Sequence, residues 1–473
     1  MRKVATIILS LGSTIGAIQA ETLAVLAGGS IQEKIDLAVD GDIVAIFGGT
    51  YNQDLTITKR IRLVEVNGQE VILAGNITFS GIADCPPFGG FTVGSNGNKD
   101  IAVNDCTGLV ISEIDHTAGR SINVNLNSDI EIKDSTLNSV DIKGEGTVRN
   151  ITTTGGFSFD GSKIVVTDST IGGSINHNKG ELDISNVTIQ GDFDTGNSAT
   201  KTVAFRTTVT GDCNWRSKLS WFGYGKARGF KFSGSEAKVI FVGSEIDRRN
   251  GRDSGLLLNG NNNLYNVVNS HIHNVNSYGD EAIQHNCIEI YGANHVVKIF
   301  NNYLSTNHGG SSRVQHTINL SNAVTDAKII GNIFREDHRE RWTKAVYAPF
   351  GVLFEGNLWA GISPTGHEFL VAGGVSLGKN NIRAHRDSLF VDGDPYKLAE
   401  DSPAINSGTE DPRYNDRDGT RNNIGPSGGS WYDPEGWTTE KPVVISFDLL
   451  PDSVLEGVDT EVTIEGVRAV SKP

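Results

Sequence analysis

A short unit of alternating apolar residues, closed by an Asp or Asn, recurs along the first half of this sequence. The closing residues Asp134, Asn150, Asp168 and Asn186 are spaced by 16, 18 and 18 positions. A spacing as regular as this indicates a repeat architecture, because each unit can bury its apolar face only against its neighbours. Asp and Asn suit tight corners, since they tolerate left-handed backbone. The repeat predicts an all-β chain wound into a single parallel β-helix, and the crossover rule predicts right-handed winding.

The second half repeats the same unit with longer turns. Corresponding strands begin at Ser244, Ser270, Asn302, Asn332 and Asn357, at intervals of 26, 32, 30 and 25 residues. The extra 8 to 14 residues follow the same strand in every turn. We therefore expect these loops to project from one side of the solenoid and to border a groove along residues 214 to 370, because loops on a rigid frame commonly carry function.

Composition agrees with many short strands and narrows the range of partners. The chain holds 56 Gly, 12 Pro and one Met, and β-branched residues alternate with turn formers. Its net charge of −15 argues against nucleic acid as a partner. An acidic substrate remains compatible with that charge where basic groups are gathered locally.

The N-terminus predicts export. Residues 1–20 combine a basic start, a brief apolar run and a small-residue end, which is typical of a signal peptide and too short for a membrane span. The protein is thus expected to be secreted, either extracellular or periplasmic. Export would allow Cys85 and Cys106, about one turn apart, to pair, whereas Cys213 and Cys287 are interpreted as buried fillers.

The mature chain opens with a capping sequence, Ser30-Ile31-Gln32-Glu33, and Ile31, Ile35 and Ala38 then share one helical face. The stretch from Ser30 to Tyr51 resembles the N-terminal cap and first coil of secreted bacterial parallel β-helix proteins, many of which are polysaccharide lyases. The resemblance implies a short capping helix over the open end of the solenoid and a lyase-like activity.

The remaining boundaries follow from where the repeat decays. Residues 21–400 are expected to form the capped β-helix, 401–440 an irregular closing segment, and 441–473 a small β extension. Within the closing segment, Asp416-x-Asp418-Gly419 has a spacing that could bind Ca²⁺ but lacks the rest of an EF-hand loop. We interpret it as a turn, so Ca²⁺ is a cofactor that the sequence allows but does not require.

Residues 214 to 234 combine cations with aromatic residues and contain no acidic residue. Aromatic faces stack on sugar rings and cations pair with carboxylates, so this composition suits an acidic polysaccharide. The alternative is that the aromatic side chains pack on the solenoid while the cations are solvated. The predicted substrate-binding residues are Trp215, Arg216, Trp221, Tyr224, Lys226 and Arg228, with Arg313 and Arg341 from the long turns.

Alignment of the long turns on their second strand predicts a column of catalytic side chains. Glu289, Asn319 and Tyr347 then point outward on successive turns, and His285, His316 and Lys344 precede them roughly in register. Such a ladder offers acid, base and cationic groups for proton transfer. The predicted catalytic residues are His316, Lys344, Tyr347, His285 and Glu289.

His271 and His273 alternate on one strand and could bind a metal if a neighbouring turn supplied a third ligand. The plainer interpretation of these two residues is a pair of outward polar side chains.

Three functions fit these patterns. The favoured one is an extracellular lyase that cleaves a uronic-acid polysaccharide by β-elimination. A non-catalytic surface or matrix protein could bind glycan through the same face. A glycoside hydrolase needs two carboxylates about 5 to 9.5 Å apart, for which Asp253 and Glu289 are the candidates.

Overall fold

The computed structural model describes residues 20–94, 99–248, 254–276, 286–307, 315–320, 324–336, 343–361, 371–391, 394–436, 443–450 and 461–467. The predicted signal peptide lies outside these residues, apart from Ala20. No helix within the described part of the chain is long and apolar enough to cross a membrane.

Short parallel strands dominate the structure, together with one α-helix, α1 (Ile31–Leu37), and two 3-10 turns, Arg386–Ser388 and Pro412–Tyr414. The strands of the first half are β1 (Thr22–Val25), β2 (Ile43–Tyr51), β3 (Leu55–Ile57), β4 (Arg62–Leu73), β5 (Ile77–Ser80), β6 (Phe88–Gly89), β7 (Thr92–Val93), β8 (Ile101–Asn104), β9 (Leu109–Ser112), β10 (Asp115–His116), β11 (Ile122–Val124), β12 (Asp129–Leu137), β13 (Val140–Ile142), β14 (Glu145–Thr153), β15 (Phe157–Ile171), β16 (Ile175–Ile189), β17 (Phe193–Phe205), β18 (Thr208–Trp215), β19 (Leu219–Gly223) and β20 (Lys226–Phe232). The strands of the second half are β21 (Lys238–Val242), β22 (Glu245–Asp247), β23 (Leu256–Asn261), β24 (Leu264–Val268), β25 (His271–Asn276), β26 (Ile288–Ala293), β27 (His295–Phe300), β28 (Tyr303–Asn307), β29 (Gln315–Leu320), β30 (Val324–Ile330), β31 (Ile333–Glu336), β32 (Thr343–Glu355), β33 (Leu358–Gly361), β34 (Val371–Leu377), β35 (Ile382–His385), β36 (Phe390–Val391), β37 (Asp394–Leu398), β38 (Val443–Leu450) and β39 (Glu461–Val467).

The parallel pairing runs in three columns, so the predicted single parallel β-helix is confirmed. We name the columns sheets A, B and C, in the order in which each turn of the second half visits them. Sheet A includes residues 245–247, 271–272, 303–305, 333–335 and 358–361. Sheet B includes residues 230–232, 256–258, 288–290, 318–320 and 346–348. Sheet C includes residues 238–242, 264–268, 296–300, 326–330 and 352–355.

A left-handed residue marks the corner between sheets C and A on every turn. The predicted corner residues Asp134, Asn150, Asp168 and Asn186 have φ of 48°, 50°, 50° and 54°, which confirms their role. The same corner continues through Arg206, Tyr224, Gly243, Asn269, Asn301, Gly331, Gly356 and Asn380. Asp, Asn and Gly meet this need at the lowest steric cost.

The residue after each of these corners links one turn to the next in the second half. The backbone N–H of Asn302 donates to Oδ1 of Asn332 at 2.9 Å, and that of Asn332 donates to Oδ1 of Asn357 at 2.9 Å. The Asn332 amide also donates to the carbonyl oxygens of Ile299 and Ile330. All three Asn side chains are buried, so the ladder satisfies backbone groups that the bend removes from the sheets.

Apolar side chains from the three sheets fill the interior, and α1 covers its first turn. Ser30 caps α1 by accepting the N–H of Glu33 at 3.1 Å, and Ile31 and Ile35 are buried against the first strands, as predicted. Cys213 and Cys287 are buried fillers, also as predicted. Cys85 and Cys106 are buried free thiols, and burial raises the pKa of Cys85 to about 12.

Residues 386–391 and 394–436, which we call the C-terminal cover, lie on the outer faces of sheets A and C. Leu389, Ala404 and Ile424 pack on sheet A, while Tyr414 and Trp431 pack on sheet C. The predicted turn at Asp416 is present, because the backbone N–H of Gly419 donates to the carbonyl oxygen of Asp416 at 2.9 Å. The Asp416 carboxylate also accepts the backbone N–H groups of Asn423 and Gly429. Farther along the chain, β38 and β39 pair as an antiparallel hairpin.

We expect Asn332→Leu to lower the free energy of unfolding by about 3 kcal/mol, because it removes the side-chain partner of the buried Asn302 N–H and of the Ile299 carbonyl oxygen. Chemical denaturation followed by circular dichroism would measure this change. Asn176→Leu is the matched control, since Asn176 is exposed and its loss should change stability by no more than about 0.5 kcal/mol. Equal effects of the two substitutions would contradict the role of the ladder.

His177 should make the fold sensitive to mild acid. Burial lowers its pKa from 6.5 to about 4, so the unfolded chain takes up the proton first as the pH falls. Stability is therefore lost between pH 6.5 and 4, and roughly 3 kcal/mol of the loss at pH 4 belongs to this residue. We expect His177→Gln to flatten the pH dependence of unfolding in that window. His385→Gln, at an exposed position in β35, should leave it unchanged.

Candidate active site

A column of outward side chains runs along sheet B. Lys231, Leu257, Glu289, Asn319 and Tyr347 are register partners on successive turns. The predicted alignment of Glu289 with Asn319 and Tyr347 is thus confirmed. Since stacked strands lie about 4.8 Å apart, the five positions span roughly 19 Å along the solenoid. Lys231 and Tyr347 are exposed, and none of the described residues of the C-terminal cover packs on this part of sheet B, whereas they do pack on sheets A and C.

Three donors hold the Glu289 carboxylate at the middle of this column. It accepts hydrogen bonds from Ser254 Oγ at 2.6 Å, from the Tyr291 hydroxyl, and from Asn319 Nδ2 at 3.4 Å. Only 9% of Glu289 is exposed, whereas Tyr291 is 40% exposed. Partial burial and the bond to Glu289 raise the pKa of Tyr291 to about 12. The Glu289 carboxylate therefore holds the side chains of Ser254, Tyr291 and Asn319 in place and is itself largely shielded from solvent.

The half-buried His316 and the exposed Tyr347 form a pair of rings at the Tyr347 end of this column. Their ring centroids lie 5.1 Å apart, and 39% of Tyr347 is exposed. His316 and Lys344 are Cα partners on β29 and β32, which confirms their predicted alignment. An imidazole next to a phenol can take up and return a proton at neutral pH, provided that a substrate reaches both groups.

Upstream of Glu289, sheet B carries a small cleft with mixed charge. Its lining includes Asp212, Lys231, Arg248, Ser254 and Leu257. Arg248 is almost fully buried and donates to Asp212 Oδ1 at 2.5 Å. The cleft shares Ser254 with the Glu289 cluster, so the two features form one continuous surface.

The predicted aromatic binding surface is wrong for three of its residues. Trp215 is fully buried in the solenoid interior, where its ring lies 4.9 Å from those of Phe193 and Phe230. Trp221 and Tyr224 point outward from sheet C but are buried in a second apolar cluster. Because their faces are occupied by protein, none of the three rings can stack on a sugar in this conformation.

The predicted cations remain exposed but are distributed around the perimeter of the solenoid. Lys226 lies on sheet A and pairs with Glu245 at 2.7 Å. Arg228 pairs with Asp212 at 3.1 Å, and Arg216 donates to Ser233 Oγ at 3.1 Å. The expectation that residues 214 to 234 contribute one basic and aromatic surface to the groove along residues 214 to 370 is therefore wrong. Residues 214 to 234 make more than one turn and contribute Asn214 and Lys231 to sheet B.

Several predicted site residues lie outside the described part of the chain. These are His285, Arg313 and Arg341, together with Asp253 of the predicted hydrolase pair. Lys344 is described only by its backbone register. The roles predicted for these residues stay predictions.

Four residues of this surface were missed by the sequence analysis. Lys231 could have been found, since it occupies the same alternating position in its strand as Glu289. Ser254, Tyr291 and Arg248 have no comparable signal, because they reach Glu289 or Asp212 from other turns or other positions of the strand.

The fold and the column together define the class of this protein: a parallel β-helix with an open polar face on one of its three sheets. No protein-family model matches the chain. No curated protein matches it significantly either. The proposals below therefore depend on the geometry of the chain itself.

Trp215→Ala should destabilise the protein by about 3 to 5 kcal/mol, because it opens a cavity in a packed interior. Lys231→Ala should change stability by no more than about 0.5 kcal/mol, since it removes an exposed side chain. Thermal and denaturant unfolding of the two variants would measure the difference. A Trp215→Ala variant with native stability would contradict the interior position of this ring.

Proposed function

We propose that this chain is an exported lyase that cleaves a uronic-acid polysaccharide by β-elimination on the open face of sheet B. The observation that carries the proposal is the His316–Tyr347 pair, 5.1 Å apart between ring centroids, with a carboxylate held by three donors farther along the same column. This is the part of the described surface where groups able to exchange protons are both clustered and accessible.

β-Elimination requires three functions, and the sheet-B residues can be assigned to them. A base removes the C5 proton of the uronate, and the electron pair released forms the C4=C5 double bond. The C4–O bond breaks, and an acid protonates the leaving oxygen. A cation must also neutralise the uronate carboxylate, so that the C5 proton becomes acidic.

We assign the base to His316 and the acid to Tyr347, because their rings are adjacent and Tyr347 is exposed. Asn319 donates to Glu289, and this hydrogen-bonded pair would orient the sugar along the column. The neutralising cation is assigned to Lys344, which is aligned with His316, or to Arg313 or Arg341 of the adjoining turns. Lys231 would bind a carboxylate farther along the polymer.

Elimination fits this column better than hydrolysis does. A hydrolase needs two carboxylates on opposite sides of the bond. Among the column residues from Lys231 to Tyr347, Glu289 is the one carboxylate, and three donors already occupy it.

The direct test is to incubate the protein with a panel of uronic-acid polymers and to follow the ultraviolet absorbance of the unsaturated product. Tyr347→Phe keeps the ring against His316 but removes the hydroxyl, so turnover should fall by roughly 10²- to 10⁴-fold while binding is retained. His316→Ala should cause a similar loss. His385→Ala is the matched control and should leave turnover unchanged.

Substitution of the predicted cations separates binding from chemistry. Lys344→Ala, Arg313→Ala and Arg341→Ala should reduce turnover and also weaken binding of the acidic polymer, whereas His316→Ala and Tyr347→Phe should reduce turnover alone. Activity that survives Tyr347→Phe and His316→Ala would move the chemistry to another surface. Saturated products would favour the hydrolase. Retained binding without cleavage of any polymer would favour a glycan-binding surface protein.

A further inference from the structure

A second cluster of chemically active side chains lies on sheet A, where neighbouring turns bring together Glu245, His271 and His273. Glu245 on β22 and His271 on β25 are register partners, and His273 lies two residues farther along β25. His273 Nε2 is 3.1 Å from Glu245 Oε1. One ligand atom from each of the three residues lies within 4.8 Å of the other two. The adjacent turn thus supplies the third ligand that the His271-x-His273 pattern requires.

His271 gives an independent indication that this cluster binds something. It is 4% exposed, and neither ring nitrogen has a hydrogen-bond partner in the structure. The rings of His273, Tyr303 and Tyr396 surround it at centroid distances of 4.5, 4.3 and 5.0 Å. A buried imidazole without partners is costly, because it loses its hydrogen bonds to water and gains none from the protein. A bound cation would satisfy one of its nitrogens.

We propose that Glu245, His271 and His273 form a binding site for a divalent transition metal of the Zn²⁺ class. Two imidazoles and a carboxylate are a ligand set that Zn²⁺, Co²⁺ and Ni²⁺ favour, whereas Ca²⁺ and Mg²⁺ prefer sites made of oxygen. Metal–ligand distances near 2.0 to 2.1 Å place tetrahedral ligands roughly 3.4 Å apart. The His273–Glu245 pair is already near that separation, at 3.1 Å, and His271 offers a ring nitrogen within 4.8 Å of both.

The protonation states suit a metal site. The bond from His273 and then the contact with Lys226 hold the pKa of Glu245 at about 2, against the opposing effect of burial, so this carboxyl group is ionised. Burial and the neighbouring His273 lower the pKa of His271 to about 3, so its ring is neutral at physiological pH.

Two neighbouring cations act against metal binding, and one of them provides a sharp test. Lys226 Nζ lies 2.7 Å from Glu245 Oε2, so it competes with a metal for the same carboxylate. Arg335 also lies close enough to disfavour positive charge on His271. Removal of Lys226 should therefore strengthen binding, a result that a purely structural cluster would not give.

The position of the site suggests what the metal would do. Tyr396 belongs to β37 of the C-terminal cover and packs edge-to-face on His271. Three protein ligands leave a fourth coordination position for water or for a group of the cover. A metal here would hold β22 and β25 of sheet A together at the point where the C-terminal cover packs on them. The site lies on sheet A, so it is separate from the proposed active site on sheet B.

The test is to treat the full chain with a chelator and to titrate it with Zn²⁺ by calorimetry, with Co²⁺ as a spectroscopic probe and Ca²⁺ as a negative control. We expect saturable binding of one Zn²⁺, a Co²⁺ visible spectrum of tetrahedral type, and a rise in Tm with Zn²⁺. His271→Gln and His273→Gln should each weaken Zn²⁺ binding at least tenfold and remove the rise in Tm. His385→Gln should match the parent chain.

Lys226→Met keeps the proposal testable if the histidine variants fold poorly, since Lys226 is exposed and lies outside the ligand set. This variant should bind Zn²⁺ several times more tightly than the parent chain. Unchanged or weaker binding by Lys226→Met would overturn the proposal, and so would Zn²⁺ binding that is insensitive to His271→Gln. Equal affinity for Ca²⁺ would equally overturn the assignment to a transition metal.

Discussion

The structure depends on one repeated corner, at which the backbone enters the left-handed region and the next residue hydrogen-bonds to the turn before it. In the first half, Ser169 accepts the N–H of Ile151 and donates to the carbonyl oxygen of Thr167. In the second half, Ser270 and then Asn302 take over the same position. A sharp bend removes backbone groups from the sheets, and buried backbone groups without partners are expensive. Where Ser or Asn follows the corner of the next turn, its side chain supplies the missing partner, so these bends are also links between turns.

This link also fixes the register of each turn against its neighbour. A slip by one residue would turn every inward side chain outward, so the corner that prevents it determines what each face displays. Columns of equivalent positions are the direct result. The sheet-B column that ends in Asn319 and Tyr347 is one example, and the pairing of Glu245 with His271 on sheet A is another.

The C-terminal cover distinguishes the three faces of an otherwise repetitive frame. It packs on sheets A and C through apolar residues, and Asn269 fastens it by donating to the carbonyl oxygens of Pro426 and Gly428. Outward apolar residues on those two sheets are therefore part of a second core. Sheet B keeps its polar and charged side chains available, which is why the proposed chemistry is placed there. The proposed metal site lies where the cover meets sheet A.

The sequence alone determined the features that are local or periodic. Corner residues such as Asp134 and Asn186, the cap at Ser30 and the alignment of Glu289 with Tyr347 follow from spacing and from the alternation of side chains along a strand.

The tertiary structure decided which face each residue occupies and what covers it. Trp221 and Tyr224 look like surface aromatics, but they are buried, and Arg206 nearby donates to Gly436, 230 positions later. The side of the solenoid reached by a residue depends on the summed lengths of all preceding turns and on register shifts such as that between Val209 and Asp212. Contacts between such distant segments leave no period in the sequence, because they depend on closure of the whole solenoid rather than on any local repeat.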